Sequence, residues 1–288
     1  MVEPAVNVEK KVVGKYIFNF ADKLSSDTSG VVYRGYHKDD SSIEVAIKQV
    51  PISVSTDEEL DYLKTLLERE VYVMEKLSHK NILKLIDISI TKNNFYLITE
   101  FCNEGDLESR KKDLTIEETL IVIKQITTAM IYANANNIIH RNLKPMNILL
   151  HNGVVKIAEF GLARVVDDAQ IQRTLTKRIG TLLYMAPQVF TGEKYGKKCD
   201  VWSLGVLFYE LIFKKLPWLG DNAKDLFKNI KHSPLDLDND QAVDENVKDL
   251  LKKILKKTEE KRLDFEDILN HDVFKKNLPD KLPPKKKL

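Results

Sequence analysis

His140-Arg141-Asn142-Leu143-Lys144-Pro145-Met146-Asn147 is followed along the chain by Glu159-Phe160-Gly161 and then by Ala186-Pro187-Gln188. Far upstream, Lys48 and Glu70 stand in patterns that leave their charges unexplained.

Tyr16 to Glu100 alternates short apolar runs rich in Val, Ile, Tyr and Phe with Gly, Asp and Ser clusters, the pattern of a small antiparallel sheet. A helix over about Asp57–Leu77 interrupts it, with Leu63, Leu67, Met74 and Leu77 on one stripe. Glu70 falls inside that stripe, where a carboxylate is costly unless a cation reaches it. Lys48 is the nearest candidate, since it ends the strand-like run Val45-Ala46-Ile47-Lys48 on the same face as Ala46 and Val50. Taken alone, a strand lysine more often faces solvent.

After a polar bridge, Phe101 to Asp106, the pattern turns to long helical segments. Ile116, Leu120, Ile123, Ile126 and Met130 form a second stripe. Further helices are predicted over about Lys198–Phe213 and Val243–Leu255, with the loop signal Pro217-Trp218 between them. No fixed-period repeat is found. The biased segments are the acidic run Asp236 to Glu245 and the tail Pro283-Pro284-Lys285-Lys286-Lys287-Leu288, which is expected to be a solvated end.

Of the 288 residues, 43% are hydrophobic and 31% charged, a composition that excludes a disordered chain. Subtracting 43 acidic from 45 basic residues leaves +2, so neither nucleic acid nor an anionic membrane is expected as a general partner. Cys102 and Cys199 lie far apart in sequence, which points away from a disulfide scaffold or zinc cluster and toward a reducing compartment. No run has the length of a membrane span or signal peptide, so an intracellular, cytoplasmic location is expected. His37, His79, His151, His232 and His271 show no ligand spacing, and His140 is read as an internal support of its loop.

The motifs, in this order, resemble those of the eukaryotic protein kinases. The resemblance runs from about Tyr16 to Phe274 and takes in Asp200-Val201-Trp202-Ser203-Leu204-Gly205 and Arg262. Lys144 and the stretch Gly180-Thr181-Leu182-Leu183-Tyr184-Met185-Ala186-Pro187 are similar to the serine/threonine branch. What the resemblance implies is a two-lobed α+β fold: an N-terminal extension (1–15), a β-sheet lobe with one helix (16–100), a larger, mainly helical lobe (101–274) and a basic tail (275–288). It implies ATP and Mg²⁺ as ligands. In that fold a strand lysine, here Lys48, steadies the α and β phosphates and is held by a helix glutamate, here Glu70, which gives both unexplained charges one cause. Val32 and Ala46 would lie above the adenine and Leu149 below it, with Thr99 guarding the pocket and Glu100 to Cys102 as hinge. Without the motif order these four small or apolar side chains read as ordinary core packing.

The chain departs from the family pattern at four places. Asn142 stands where an aspartate accepts or orients the proton of the substrate hydroxyl. An amide is no base at neutral pH, although it can position a hydroxyl, and the group it replaces is worth roughly 10²- to 10⁴-fold in rate, about 3 to 5 kcal/mol of barrier. Glu159 replaces the aspartate that bridges Mg²⁺ to the phosphates, which keeps the charge and lengthens the arm by one methylene against an ion that demands a tight octahedron. Asn147, the other metal residue, and Lys144, which approaches the γ phosphate, are kept. Ser25-Ser26-Asp27-Thr28-Ser29-Gly30 keeps only the last glycine of the phosphate loop and brings a carboxylate toward the phosphates, unless the loop lifts and Asp27 faces solvent. Gln188 replaces the glutamate that pairs with an arginine, here Arg262. Arg141 with Thr174 and Thr176 implies a phosphothreonine pairing, against the plainer reading of unmodified loop threonines.

Two functions follow. In one the chain is a pseudokinase, a kinase fold with a weakened ATP and Mg²⁺ site that acts as a binding or allosteric module, and four departures in one chain favour it. In the other it is an active but slow serine/threonine protein kinase that transfers the γ phosphate to protein hydroxyls with Lys48, Glu70, Lys144 and Asn147 intact. An asparagine introduced at 142 to silence an active enzyme would leave Glu159 and the glycine-poor loop unexplained. In either case a protein is the partner or substrate, and neither its identity nor the oligomeric state is written in the sequence.

Overall fold

The computed structural model describes residues 10–27, 30–52, 56–165, 182–237 and 242–284. The chain divides into two compact units, one of Met1–Lys76 with Leu83–Asn103 and the other of Leu77–Ile82 with Glu104–Leu288. The fold is α+β, with an antiparallel sheet in the first unit and mainly helices in the second.

In the first unit β1 (Lys10–Val13), β2 (Tyr16–Asp27), β3 (Gly30–His37), β4 (Asp40–Pro51), β5 (Leu85–Ile90) and β6 (Asn94–Glu100) form a 6-stranded sheet in the order β1-β2-β3-β4-β6-β5. All neighbours are antiparallel. The sheet expected from Tyr16 thus gains an edge strand from the stretch read as an extension, since Lys10–Val13 pairs with Tyr16–Asn19. Cross-strand neighbours share a face. Tyr33, Ile47 and Ile98 are such neighbours and join Tyr16, Phe18, Val45 and Tyr96 in one buried cluster. Phe18 stacks on Tyr33 with centroids 4.5 Å apart. The opposite face carries Val32 across from Lys48 and Ala46 across from Thr99. Helix α1 (Asp57–Lys76) buries Leu67, Glu70, Val73 and Met74. Of the predicted stripe, Leu63 is only half-buried and Leu77 is buried just beyond the helix end.

The second unit holds α2 (Leu107–Arg110), α3 (Ile116–Ala135), α4 (Pro187–Thr191), α5 (Lys198–Phe213), α6 (Ala223–His232), α7 (Glu245–Ile254) and α8 (Phe265–Leu269). Two small sheets pair β7 (Ile138–Ile139) with β10 (Arg164–Val165) and β8 (Ile148–His151) with β9 (Val154–Ile157). Thr115 starts α3 with a reciprocal cap: its hydroxyl accepts the Glu118 N–H, and the Glu118 carboxylate accepts the Thr115 N–H. The α3 stripe is as predicted, with Leu120, Ile123, Ile126 and Met130 buried and Ile116 half-buried. Helix α5 is buried without a break from Cys199 to Ile212, which makes it the central helix of the unit. Among the described residues no helix is long and apolar enough to cross a membrane. Of the end expected to be solvated, Pro283 and Pro284 are exposed and residues 285–288 lie outside the described residues, while Leu278 and Leu282 just before it are buried.

Candidate functional site

The His140–Asn147 loop leaves β7 and is held from beneath. Asp200, in the first turn of α5, is fully buried, and its carboxylate accepts the His140 and Arg141 N–H groups, each at 2.7 Å. Burial lifts this carboxyl to about 6, and the two amide bonds oppose the rise. Arg141 takes the left-handed conformation, with φ 62°. Its Nε donates to the Leu162 carbonyl at 2.7 Å and its Nη1 to the Tyr195 hydroxyl at 3.0 Å. His140 is wholly buried, and burial pushes its imidazole down to about 4, so the ring is neutral at pH 7. Its Nδ1 accepts the Asn142 N–H at 3.1 Å, which places the ring proton on Nε2, 3.0 Å from the Ala158 carbonyl. His140 is the internal support that the sequence suggested.

Asn142 is half-buried, and its Oδ1 is enclosed without a hydrogen-bond partner. Asn147 is buried; its Nδ2 donates to the Asn142 carbonyl at 2.8 Å, and its main-chain carbonyl accepts the Ala158 N–H at 2.9 Å. The next residue, Glu159, sits at φ 65° and ψ 65°, a left-handed conformation that costs a side-chain-bearing residue about 1 kcal/mol or more. Asn147 Oδ1 and the Glu159 carboxylate are hard oxygen donors on chain segments tied by that main-chain bond, and in donor chemistry they fit Mg²⁺. Lys144 is half-buried before the turn Pro145–Asn147, and Leu149 is half-buried in β8.

In the first unit Lys48 Nζ lies 3.7 Å from Glu70 Oε2, and both residues are buried. The pairing inferred from two unexplained charges is formed. Val32, Ala46, Lys48 and Thr99 share one sheet face by register. The Glu100 carboxylate accepts the Lys84 N–H at 2.8 Å, and the Glu100 N–H donates to the Lys84 carbonyl at 3.0 Å, so this side chain fastens the start of β5. Cys102 is half-buried and in no disulfide. The one glycine kept from the phosphate-loop pattern answers to the sheet: Gly30 has φ +144°, and a Cβ there would lie 2.3 Å from the Gln49 carbonyl oxygen of β4. β2 runs on to Asp27, paired with Gly30. The Asp27 side chain, Thr28, Ser29, Thr174, Thr176, Gly180 and Thr181 lie outside the described residues.

Gln188 and Arg262 meet as the sequence suggested, through Arg262 Nη2 donating to Gln188 Oε1 at 2.9 Å. Arg262 also donates to the carbonyls of Lys256 at 2.7 Å, Lys198 at 3.1 Å and Lys257 at 3.1 Å, and lies 4.9 Å from the Trp202 ring centroid. Burial pushes the guanidinium down to about 10. Gln188 Nε2 is buried with no partner.

One cluster was missed. Lys111 Nζ lies 2.7 Å from Glu108 and donates to Glu210 at 2.6 Å, and the Tyr184 hydroxyl donates to the other Glu210 oxygen at 2.5 Å. Burial raises the Tyr184 phenol well above its ordinary value. The available signal was Glu210 itself, an acid inside the apolar pattern of α5, as Glu70 was in α1.

The protein kinase domain family matches residues 18–274. Human serine/threonine-protein kinase ULK1 is 31% identical over 275 residues, which is 91% of this chain and 25% of that protein. Serine/threonine-protein kinase unc-51 of Caenorhabditis elegans is 32% identical over 268 residues, 87% of this chain and 30% of that protein. Serine/threonine-protein kinase ATG1c of Arabidopsis thaliana is 32% identical over 273 residues, 91% of this chain and 36% of that protein. The chain therefore spans 25% to 36% of the length of these three relatives.

Proposed function

The chain belongs to the protein kinase family, and on that premise we propose that it is a pseudokinase, a fold that holds ATP with Mg²⁺ and acts as a binding or allosteric module for a protein partner inside the cell. The observation that carries this reading is Asn142 in the His140–Asn147 loop, whose bonds among Asp200, His140, Asn142 and Asn147 are formed. The substitution alters the chemistry at one atom and leaves the frame intact. An amide takes up no proton at neutral pH, and His140 is no substitute. Its Nδ1 is taken by the Asn142 N–H, its Nε2–H is directed to Ala158, and burial holds it down at about 4. Loss of the base lowers transfer by roughly 10²- to 10⁴-fold. Asn147 and Glu159 are the residues that would hold Mg²⁺, which when bound neutralises phosphate charge. Lys48, held beside Glu70, supports nucleotide binding from the sheet.

A second reading has an observation of its own. Asn142 Oδ1 is an acceptor without a partner, and turning the side chain out of its enclosure would bring that oxygen to a serine or threonine hydroxyl. On this reading the chain is a slow serine/threonine kinase, the activity named for its relatives.

The two separate in an assay of the purified chain with labelled ATP, magnesium or manganese and a mixed peptide library, run beside a thermal-shift titration with ATP. The pseudokinase reading expects a metal-dependent rise in melting temperature on ATP binding without peptide labelling. Labelling that Lys48→Met abolishes would overturn it in favour of the slow kinase.

A further inference from the structure

Three contacts converge on Gly153, in the turn between β8 and β9. Its N–H donates to Glu104 Oε2 at 2.7 Å. Its carbonyl accepts the Leu282 N–H at 2.9 Å and, at 3.4 Å, Gln125 Nε2. Gly153 has φ +75°, and a Cβ there would lie 2.4 Å from the Leu282 carbonyl oxygen, so the turn is shaped to take the chain that passes over it. That chain is Lys275–Pro284, anchored by Leu278 and Leu282, which are 8% and 4% exposed.

Bonds lead from the turn in two directions. Gln125 Oε1 accepts Asn81 Nδ2 at 2.7 Å and the Val155 N–H at 2.8 Å, and Asn81 Nδ2 also donates to the Val155 carbonyl at 3.0 Å. The segment Leu77–Ile82, which follows α1, is thereby tied to β9. On the other side Glu104, where the second unit resumes after Asn103, donates its N–H to the Leu150 carbonyl at 3.0 Å, and the Leu150 N–H donates to the Gly105 carbonyl at 2.9 Å. Leu149 bridges to Asp106 between them.

We propose that Lys275–Pro284 is a regulatory strap built into the chain. Docked, it holds the β8–β9 hairpin and Glu104 in the arrangement that presents Leu149; detached, it leaves the hairpin loose and lowers affinity for adenine nucleotide. Its hold consists of two leucines, one main-chain bond and two solvent-facing ion pairs, Lys276 to Asp244 at 3.2 Å and Asp280 to Lys124 at 4.0 Å, which add little, so the docked and detached states lie close enough for a binding partner to shift one to the other. The nucleotide half of the proposal rests on the ATP reading above, and the hairpin half does not.

Hydrogen exchange of the full chain tests it, with Leu282→Asp and the milder Leu282→Ser. In both variants the Leu150 and Val155 amides should exchange at least about tenfold faster while α5 amides keep their protection, which shows that the unit is still folded. ATP affinity in the presence of magnesium should fall about fivefold or more. Peptide Lys275–Pro284 added in trans should slow the exchange again. Unchanged Leu150 and Val155 exchange in a folded Leu282→Ser variant would overturn the strap. A loosened hairpin with unaltered ATP affinity would overturn its regulatory role. An unaltered chain that binds no ATP would overturn the nucleotide reading instead, and exchange alone would then decide the strap.

Discussion

Replacing Gln188 with glutamate should stabilise the second unit. The Gln188 side chain is 7% exposed; its Oε1 accepts Arg262 Nη2 at 2.9 Å and its Nε2 is buried without a partner. A buried unpaired donor costs about 1 to 3 kcal/mol, and turning a neutral acceptor into a charged one adds about 1 kcal/mol to the bond. Against this stands the desolvation of a new carboxylate, several kcal/mol if it were unpaired. Arg262 is already buried, so only one new ion is desolvated and its partner is in place at hydrogen-bond distance. The net gain is about 1 to 2 kcal/mol, or roughly 3 to 6 °C in Tm for a unit of this size. Arg262 should hold the new carboxyl below the usual carboxylate range. The gain is then present above the unfolded carboxyl pKa of about 4.3 and is lost as pH falls through the folded value. Thermal melts of both proteins at pH 7 and below pH 4 measure this. A variant that melts no higher than the parent at pH 7, or a gain that does not shrink in acid, would refute the reasoning.

His140, pushed down to about 4, stays neutral in the folded protein while the unfolded chain takes up a proton near pH 6.5. Its stabilising contribution is therefore full above pH 6.5 and is lost as pH falls toward 4. Asp200, lifted to about 6 from 3.8, works in the opposite sense and masks the loss in the unaltered chain. The destabilisation caused by His140→Gln should thus shrink by about 2 kcal/mol between pH 7 and pH 5, and urea denaturation that gives the same difference at both pH values would contradict this. Gly30→Ala should cost about 2 kcal/mol or more through its crowded, positive-φ position, a loss readable by chemical denaturation of the first unit; a change within experimental error would mean that β3 and β4 part without penalty.

What the sequence made legible was anything that broke a local pattern. Glu70 in an apolar stripe called for a cation, and Lys48 is there at 3.7 Å. The ordered motifs located the loop and its support on His140, whereas the hold of Asp200 on the His140 and Arg141 N–H groups is visible only in the structure. Contacts that depend on backbone proximity gave no signal: the closeness of Gly30 to the Gln49 carbonyl, and of Gly153 to Leu282, belongs to strands and segments far apart in the chain. Leu278 and Leu282 were hidden by their surroundings, since lysines and prolines set the average of that stretch and two anchoring leucines did not alter it. Lys10–Val13 falls in the stretch read as an extension, and its place in the sheet comes from pairing with β2.

The most direct test compares phosphoryl transfer by the unaltered chain with that of the double variant Asn142→Asp, Glu159→Asp, under labelled ATP, magnesium and the same peptide library. The account predicts no Lys48-dependent labelling by the former and a rise of about 10²-fold or more in the latter. Strong metal-dependent labelling by the unaltered chain, not increased by the double substitution, would contradict it.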